Sequence, residues 1–197
     1  MHLLAGIFVG GRARRMGGVA KGLLPAPDGE AIVVRTRRLL EAAGAECVLV
    51  GTHPAYASVG LETLADDAAA DGPLAGLLAL LSRASATGAR WAIAVACDMP
   101  FIDQELVQRL VDAPPAPVVA PRHANERGRA VWEPLFARYD PAIVDIARTY
   151  ASGGGKKLQV LLDMAGAAPL ELSPERTALL TDWDALPLAS PRDSKGE

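Results

Sequence analysis

The chain has 197 residues, 50% of them hydrophobic and 22% charged, with a formal net charge of −3. That length and apolar content suffice for one core and no composition shift divides the chain, so one domain over residues 1–189 is expected, followed by a polar, disordered tail at 190–197. The acidic balance argues against a nucleic-acid-binding or membrane-binding surface, and no apolar run approaches the roughly 20 residues of a membrane-spanning helix, so the expectation is a soluble cytoplasmic protein.

Leu3 to Val9 is a continuous apolar run ended by Gly10-Gly11, the pattern of a strand buried on both faces. The segment Val9-Gly10-Gly11-Arg12-Ala13-Arg14-Arg15-Met16-Gly17-Gly18-Val19-Ala20-Lys21 then gathers four glycines and four cations. From Arg12 to Arg38 there are seven Lys/Arg against two Asp/Glu, whereas acidic residues collect around Glu62, Asp66, Asp67 and Asp71. Ala31 through Ala43 places apolar residues at helical spacing with arginines between them, and Gly44 supplies a stop. Cys47 to Gly51 reads as a second strand. Pro73 to Leu81 reads as a helix with proline in its first turn, leading to a strand over Trp91 to Cys97. Asp103 to Val111 reads as a helix and Pro117 to Pro121 as a strand. Pro134 to Tyr139, a helix over Pro141 to Tyr150, and Lys157 to Ala165 then precede a short strand near Ala178-Leu179-Leu180. Strands alternating with helices predict an α/β fold with a mainly parallel central sheet. Cys47 and Cys97 fall in the strands without metal-type spacing and read as core residues.

In a parallel α/β sheet, ligands sit at the carboxyl ends of the strands. The glycine-rich loop occupies that place. Its glycines permit close backbone approach and its exposed N–H groups can form an anion nest. Its arginines and lysine add bidentate and point-charge phosphate contacts. A polyphosphate is the natural guest. The G-x-G-x-x-G spacing of dinucleotide-binding oxidoreductases is absent, because Gly10 and Gly11 are adjacent. The G-x-x-x-x-G-K-[ST] spacing also fails, since Gly22 follows Lys21. His2, His53 and His123 are scattered, which gives no support to a Ser/His/Asp hydrolase. Asp98 ends an apolar strand before Met99-Pro100, so its carboxylate emerges at the active edge, where a Mg²⁺ ligand belongs.

The loop from Gly10 to Lys21 resembles the L-A-G-G-x-[SA]-x-R-M-G-x-D-K loop of MobA-like nucleotidyltransferases, within which the likeness is nearest to molybdenum cofactor guanylyltransferases. Gly72-Pro73-Leu74-Ala75-Gly76 is similar to the family's G-P-L-[AG]-G, and Cys97-Asp98-Met99-Pro100 to its C-D-M-P. The resemblance implies a single-domain, Rossmann-like three-layer α/β/α fold. It implies transfer of GMP from GTP to molybdopterin, or its molybdenum-loaded form, with Mg²⁺ bound by Asp98 and pyrophosphate released. Arg15 and Lys21 would then stabilise charge in the transition state, with Val9, Gly10, Gly11 and Arg12 completing the triphosphate cradle. Asp66 or Asp67 would read the base or ribose, and Gly76 would bring backbone against the nucleotide or serve helix packing.

Gly153-Gly154-Gly155-Lys156-Lys157 resembles the family's G-E-R-R element, which makes Lys156 and Lys157 acceptor-side candidates. Asp182-Trp183-Asp184 stands in place of N-x-N-[TS]-P, so Asp184 or Asp182 could reach the metal or the acceptor. Ala20 departs from the family's usual Asp, and Trp132-Glu133-Pro134-Leu135-Phe136 departs from a His-Pro before a Leu/Phe pair. Cofactor-biosynthesis proteins and acceptor molybdoenzymes are the partners that this resemblance implies. The alternatives are cytidylyl transfer, a sugar 1-phosphate acceptor, or a non-catalytic GTP-binding paralogue.

Overall fold

The N-terminal apolar run forms strand β1 (Leu3–Phe8), buried at all six positions because it lies inside the sheet with helices on either face. The computed structural model describes residues 2–9, 20–125 and 128–182. Following β1 in chain order are α1 (Ile32–Ala42), β2 (Ala45–Val50), β3 (Thr63–Leu64), α2 (Pro73–Thr87), β4 (Trp91–Ala96), α3 (Gln104–Asp112), β5 (Val118–Ala124), β6 (Ala130–Trp132), β7 (Phe136–Tyr139), α4 (Val144–Ser152), α5 (Leu158–Met164), β8 (Ala168–Leu170) and α6 (Pro174–Ala178). Short 3-10 turns occupy Lys21–Leu23, Pro54–Val59 and Pro141–Ile143.

Among the described residues the sheet runs β3-β2-β1-β4-β7-β5-β6, with β8 pairing β5. β1 to β4 are mutually parallel, β7 runs against both β4 and β5, and β8 is parallel to β5. The expected mainly parallel sheet is therefore present, with β6 and β7 as the reversed strands. Period-two alternation sorts β1 between two cores. Leu4 and Phe8 pack with α2, α4 and α5, whereas Leu3, Ala5 and Ile7 pack with α1 and α3. The result is three layers, α/β/α. No helix among the described residues is long and apolar enough to cross a membrane.

The local signals behave as their chemistry dictates. α1 buries Ile32, Val33, Thr36, Leu39 and Leu40, an apolar stripe at helical spacing. Its arginines point outward into ion pairs, Arg35 with Asp28, Arg38 with Glu30 and Arg37 with Glu41. Three of the seven cations counted from Arg12 to Arg38 thus belong to the helix surface. α3 is capped by Asp103, whose carboxylate accepts from the Leu106 N–H, a standard N-cap contact.

One expectation is corrected near the C-terminus. The predicted strand at Ala178-Leu179-Leu180 is instead the end of α6 and a turn. Ser173 caps α6 with Pro174 at its first position, a helix start that outweighs three apolar residues. Leu180 still reaches the core. The strand occurs earlier, as β8, whose Pro169 is tolerated because the strand lies at the sheet edge.

Arg138 on β7 is 1% exposed. Its guanidinium donates to the carbonyls of Val111, Ala113 and Pro114, each at 2.7 Å, and lies 4.4 Å from the centre of the Trp91 ring. Burial pushes its pKa down, but a guanidinium keeps its proton in proteins. One cation therefore closes the C-terminal end of α3 onto the sheet. Arg138→Met should strand these acceptors and lower the unfolding free energy by about 3 kcal/mol, measured by urea denaturation; a change below about 0.5 kcal/mol, the size of a surface substitution, would contradict this role.

Candidate active site

β1 lies between β2 on one side and β4 on the other, so the chain leaves β1 in one direction and later returns past it. Such a switch point opens a crevice at the carboxyl ends of the strands. The Val9 N–H donates to the Val50 carbonyl at 3.0 Å, and the Cys97 N–H to the Phe8 carbonyl at 3.2 Å. These bonds carry the ladder one residue beyond β1 and β4 and fix where both loops depart.

Lys21 enters from the loop after β1, and Asp98 from the end of β4. Their side chains meet with Nζ 3.6 Å from Oδ2, and they are 22% and 25% exposed. Both therefore stay accessible to a ligand while held in one place. Ala20, which stands where the resembled loop has Asp, takes no part through a carboxylate. Its carbonyl accepts from the Leu23 N–H, closing the turn that presents Lys21.

Tyr56 comes from the turn after β2 and is 3% exposed. Its hydroxyl accepts from the Gly22 N–H at 2.9 Å and lies 3.7 Å from Cys97 Sγ. A Cβ at Gly22 would stand 2.9 Å from that oxygen and 3.1 Å from Cys97 Cβ, so any side chain there would have to push Tyr56 or Cys97 aside. Cys97 follows β4 and is only partly buried, unlike the core position expected for it. Burial pushes its thiol up to about 11 and that of Cys47 up to about 12, so both remain protonated and unreactive at neutral pH.

Glu133 joins this edge from the end of β6. Its backbone N–H donates to the Pro121 carbonyl at 3.0 Å, and its Oε1 lies 3.4 Å from His123 Nε2. Burial, reinforced by the negative charges of Asp182 and Asp98, pushes its carboxyl up to about 7. Asp98, Asp182 and Glu133 thus share one electrostatic neighbourhood. The preceding residue, Trp132, is clamped to α5. Its backbone N–H and carbonyl bond the Gln159 side chain, and its indole donates to Asp163 at 2.8 Å.

The acidic loop before α2 separates its two candidates. Asp67 is committed locally, accepting from the Ala69 N–H at 2.9 Å, while its own N–H donates to the Ala75 carbonyl. Asp66 is exposed, and its Oδ1 lies 3.4 Å from where a Cβ on Gly76 would stand. That same Cβ would come within 2.8 Å of Val50 and 2.9 Å of Phe8. Gly76 therefore has a packing reason for its identity.

Lys156 Nζ pairs with Asp71 at 2.8 Å across the surface, and this pairing lowers the Asp71 pKa. Lys157 precedes α5, and its carbonyl accepts from the Val160 and Leu161 N–H groups. Gly10, Gly11, Arg12, Arg15 and Asp184 lie outside the described residues.

The sheet order and layering are those of the nucleotidyltransferase fold. A nucleotidyl transferase from Methanothermobacter thermautotrophicus superimposes with a TM-score of 0.63 at 20% identity, over 92% of this chain and 91% of that one. The chain belongs to the MobA-like NTP transferase domain family, whose model matches residues 5–165, and it is accordingly a transferase enzyme. A molybdenum cofactor guanylyltransferase from Cupriavidus pinatubonensis is 34% identical over 176 residues, covering 82% of this chain and 87% of that protein. The structure of molybdopterin-guanine dinucleotide biosynthesis protein A from Archaeoglobus fulgidus matches with a TM-score of 0.62 at 23% identity, over 86% of this chain and 84% of that chain.

Two residues of this edge carry no role in the sequence reading. Glu133 had a faint signal, as a carboxylate standing in a segment that departs from the resembled pattern. Tyr56 had none, because an uncharged side chain between two glycines reads as a turn. Glu133's raised pKa has a thermodynamic consequence. A carboxyl titrating near 4.5 when unfolded and about 7 when folded binds more protons in the native state, so its contribution to stability falls as pH rises between those values. Glu133→Gln should therefore stabilise the metal-free protein relative to wild type on going from pH 5 to pH 8, by at most about 3 kcal/mol. Urea titrations at both pH values measure it, and a pH-independent difference would rule the mechanism out.

Proposed function

We propose that this enzyme transfers GMP from GTP to the phosphate of molybdopterin, or its molybdenum-loaded form, in the presence of Mg²⁺, releasing pyrophosphate. The transfer unit is taken to span residues 1–189 and to work in the cytoplasm. The observation that carries the reading is the Lys21–Asp98 pair at 3.6 Å, set at the switch point of the sheet in a chain with 34% identity to a molybdenum cofactor guanylyltransferase.

The reaction forms a bond between an acceptor phosphate oxygen and the α-phosphorus of GTP and breaks the bond from that phosphorus to the β-phosphate oxygen. Attacker and substrate are both anionic, so charge neutralisation and alignment are the main tasks. Lys21 turns from Asp98 to the triphosphate as the nucleotide enters, with Arg12, Arg15 and the backbone from Val9 to Gly11 enclosing its oxygens. The acceptor phosphate is already ionised, and no side chain has to remove a proton from it.

Among the described residues no three Asp, Glu, His or Cys side chains converge on one point as a metal cage. Mg²⁺ characteristically binds through one or two carboxylates plus phosphates and water. Asp98 therefore fits the ion as its protein ligand, with Asp182 or Asp184 as the second. The ion supplies charge neutralisation on the phosphates.

Asp66 is the better reader of the base, since its carboxylate can accept from guanine N1–H and the exocyclic amine while Asp67 is held in its own turn. Lys156 and Lys157 serve the acceptor phosphate, Lys156 by exchanging Asp71 for it. Cofactor-biosynthesis proteins would supply the pterin, and molybdoenzymes would receive the product.

Pyrophosphate release should be measured with GTP, CTP, ATP and UTP, with Mg²⁺ and molybdopterin present. Release is expected with GTP, dependent on the pterin, and about a hundred- to thousand-fold slower in Asp98→Ala. Preference for CTP would move the base assignment. GTP binding without turnover would favour a regulatory paralogue.

A further inference from the structure

We infer that Tyr56 is a positioning residue of this enzyme, setting the distance between Lys21 and Asp98 through its hydroxyl. The inference rests on the proposed roles of those two residues. It adds a group that touches neither nucleotide nor acceptor.

The geometry is a three-way joint. Tyr56 belongs to the turn after β2, Gly22 to the segment after β1, and Cys97 to the end of β4. The hydroxyl accepts from the Gly22 N–H at 2.9 Å and lies 3.7 Å from Cys97 Sγ. Gly22 is bonded in sequence to Lys21, and Cys97 to Asp98. A single oxygen thus fixes both residues next to the ion pair.

The ring that carries this oxygen is itself held. Tyr56 is 3% exposed. Its N–H donates to the His53 carbonyl at 3.1 Å, and the His53 ring stands edge-on to it at 5.5 Å between centroids. His53 in turn caps its own 3-10 turn by accepting from the Ala55 N–H. Gly22 admits the contact because any side chain there would meet the Tyr56 ring or Cys97. The Gly22 N–H is also buried at this joint, so losing its acceptor leaves a donor with none in its place, which lets the Lys21 segment shift.

Tyr56→Phe keeps the ring and removes only the oxygen. GTP affinity in Mg²⁺ should be titrated for wild type, Tyr56→Phe, Lys21→Ala and the double variant, with thermal melts confirming the fold. Tyr56→Phe should weaken GTP binding about tenfold, the equivalent of one lost hydrogen bond, and have little further effect in the Lys21→Ala background. Exchange of the Gly22 amide with deuterium should accelerate in Tyr56→Phe, a readout independent of turnover. If Tyr56→Phe folds poorly, Gly22→Ala disturbs the same contact from the other side and should give the same non-additive loss. Unchanged GTP affinity, or an equal loss with and without Lys21, overturns the inference. Pyrophosphate release by wild type tests the guanylyltransferase reading separately, because the affinity cycle requires no acceptor and no reaction.

Discussion

The close approach of α2 to the central strands sets the rest of the structure. A Cβ at Gly6 would stand 2.7 Å from Val50 and 2.9 Å from Leu80, and one at Gly76 would stand 2.8 Å from Val50 and 2.9 Å from Phe8. Two missing side chains, one on the strand and one on the helix, let α2 lie directly on β1 and β2. Protein interiors are too densely packed to absorb a methyl group without displacement. With α2 seated there, its N-terminal turn and the preceding acidic loop come to the carboxyl ends of β1 and β2, within reach of the edge where Lys21 and Asp98 meet.

That edge gathers several ionisable side chains. Burial, with the nearby charges of Asp182 and Asp98 adding to it, raises the Glu133 carboxyl to about 7. Lys21 provides a compensating cation 3.6 Å from Asp98. Under the proposed function, such an edge would receive a cation and a polyphosphate together. Such a site would cost stability while empty and regain it on binding. The Arg138 contacts to three carbonyls contrast with it. They use a buried charge solely to close a helix onto the sheet.

Legibility from sequence followed the strength of local patterns. β1, α1 and α2 were readable because continuous apolar runs and helical periodicity survive in isolation. Asp98 was readable because a carboxylate ending an apolar strand has few places to go. β8 was not, since three residues with a central proline carry no period, and α6 was masked by the apolar triplet at its end. The choice between Asp66 and Asp67 depended on which one closes a turn, a matter of a single backbone N–H. Tyr56 was invisible because its role comes from three strand ends converging in space, which no spacing along the chain records.

The most direct measurement is a double-mutant cycle on the transfer rate with Lys21→Ala, Asp98→Asn and the two combined. If Lys21, on the phosphates, and Asp98, through the ion it would hold, act as a unit on the same reacting group, the losses are strongly non-additive, with the double variant hardly slower than the slower single. Independent, multiplying losses would contradict the assignment of the pair as the centre of the reaction.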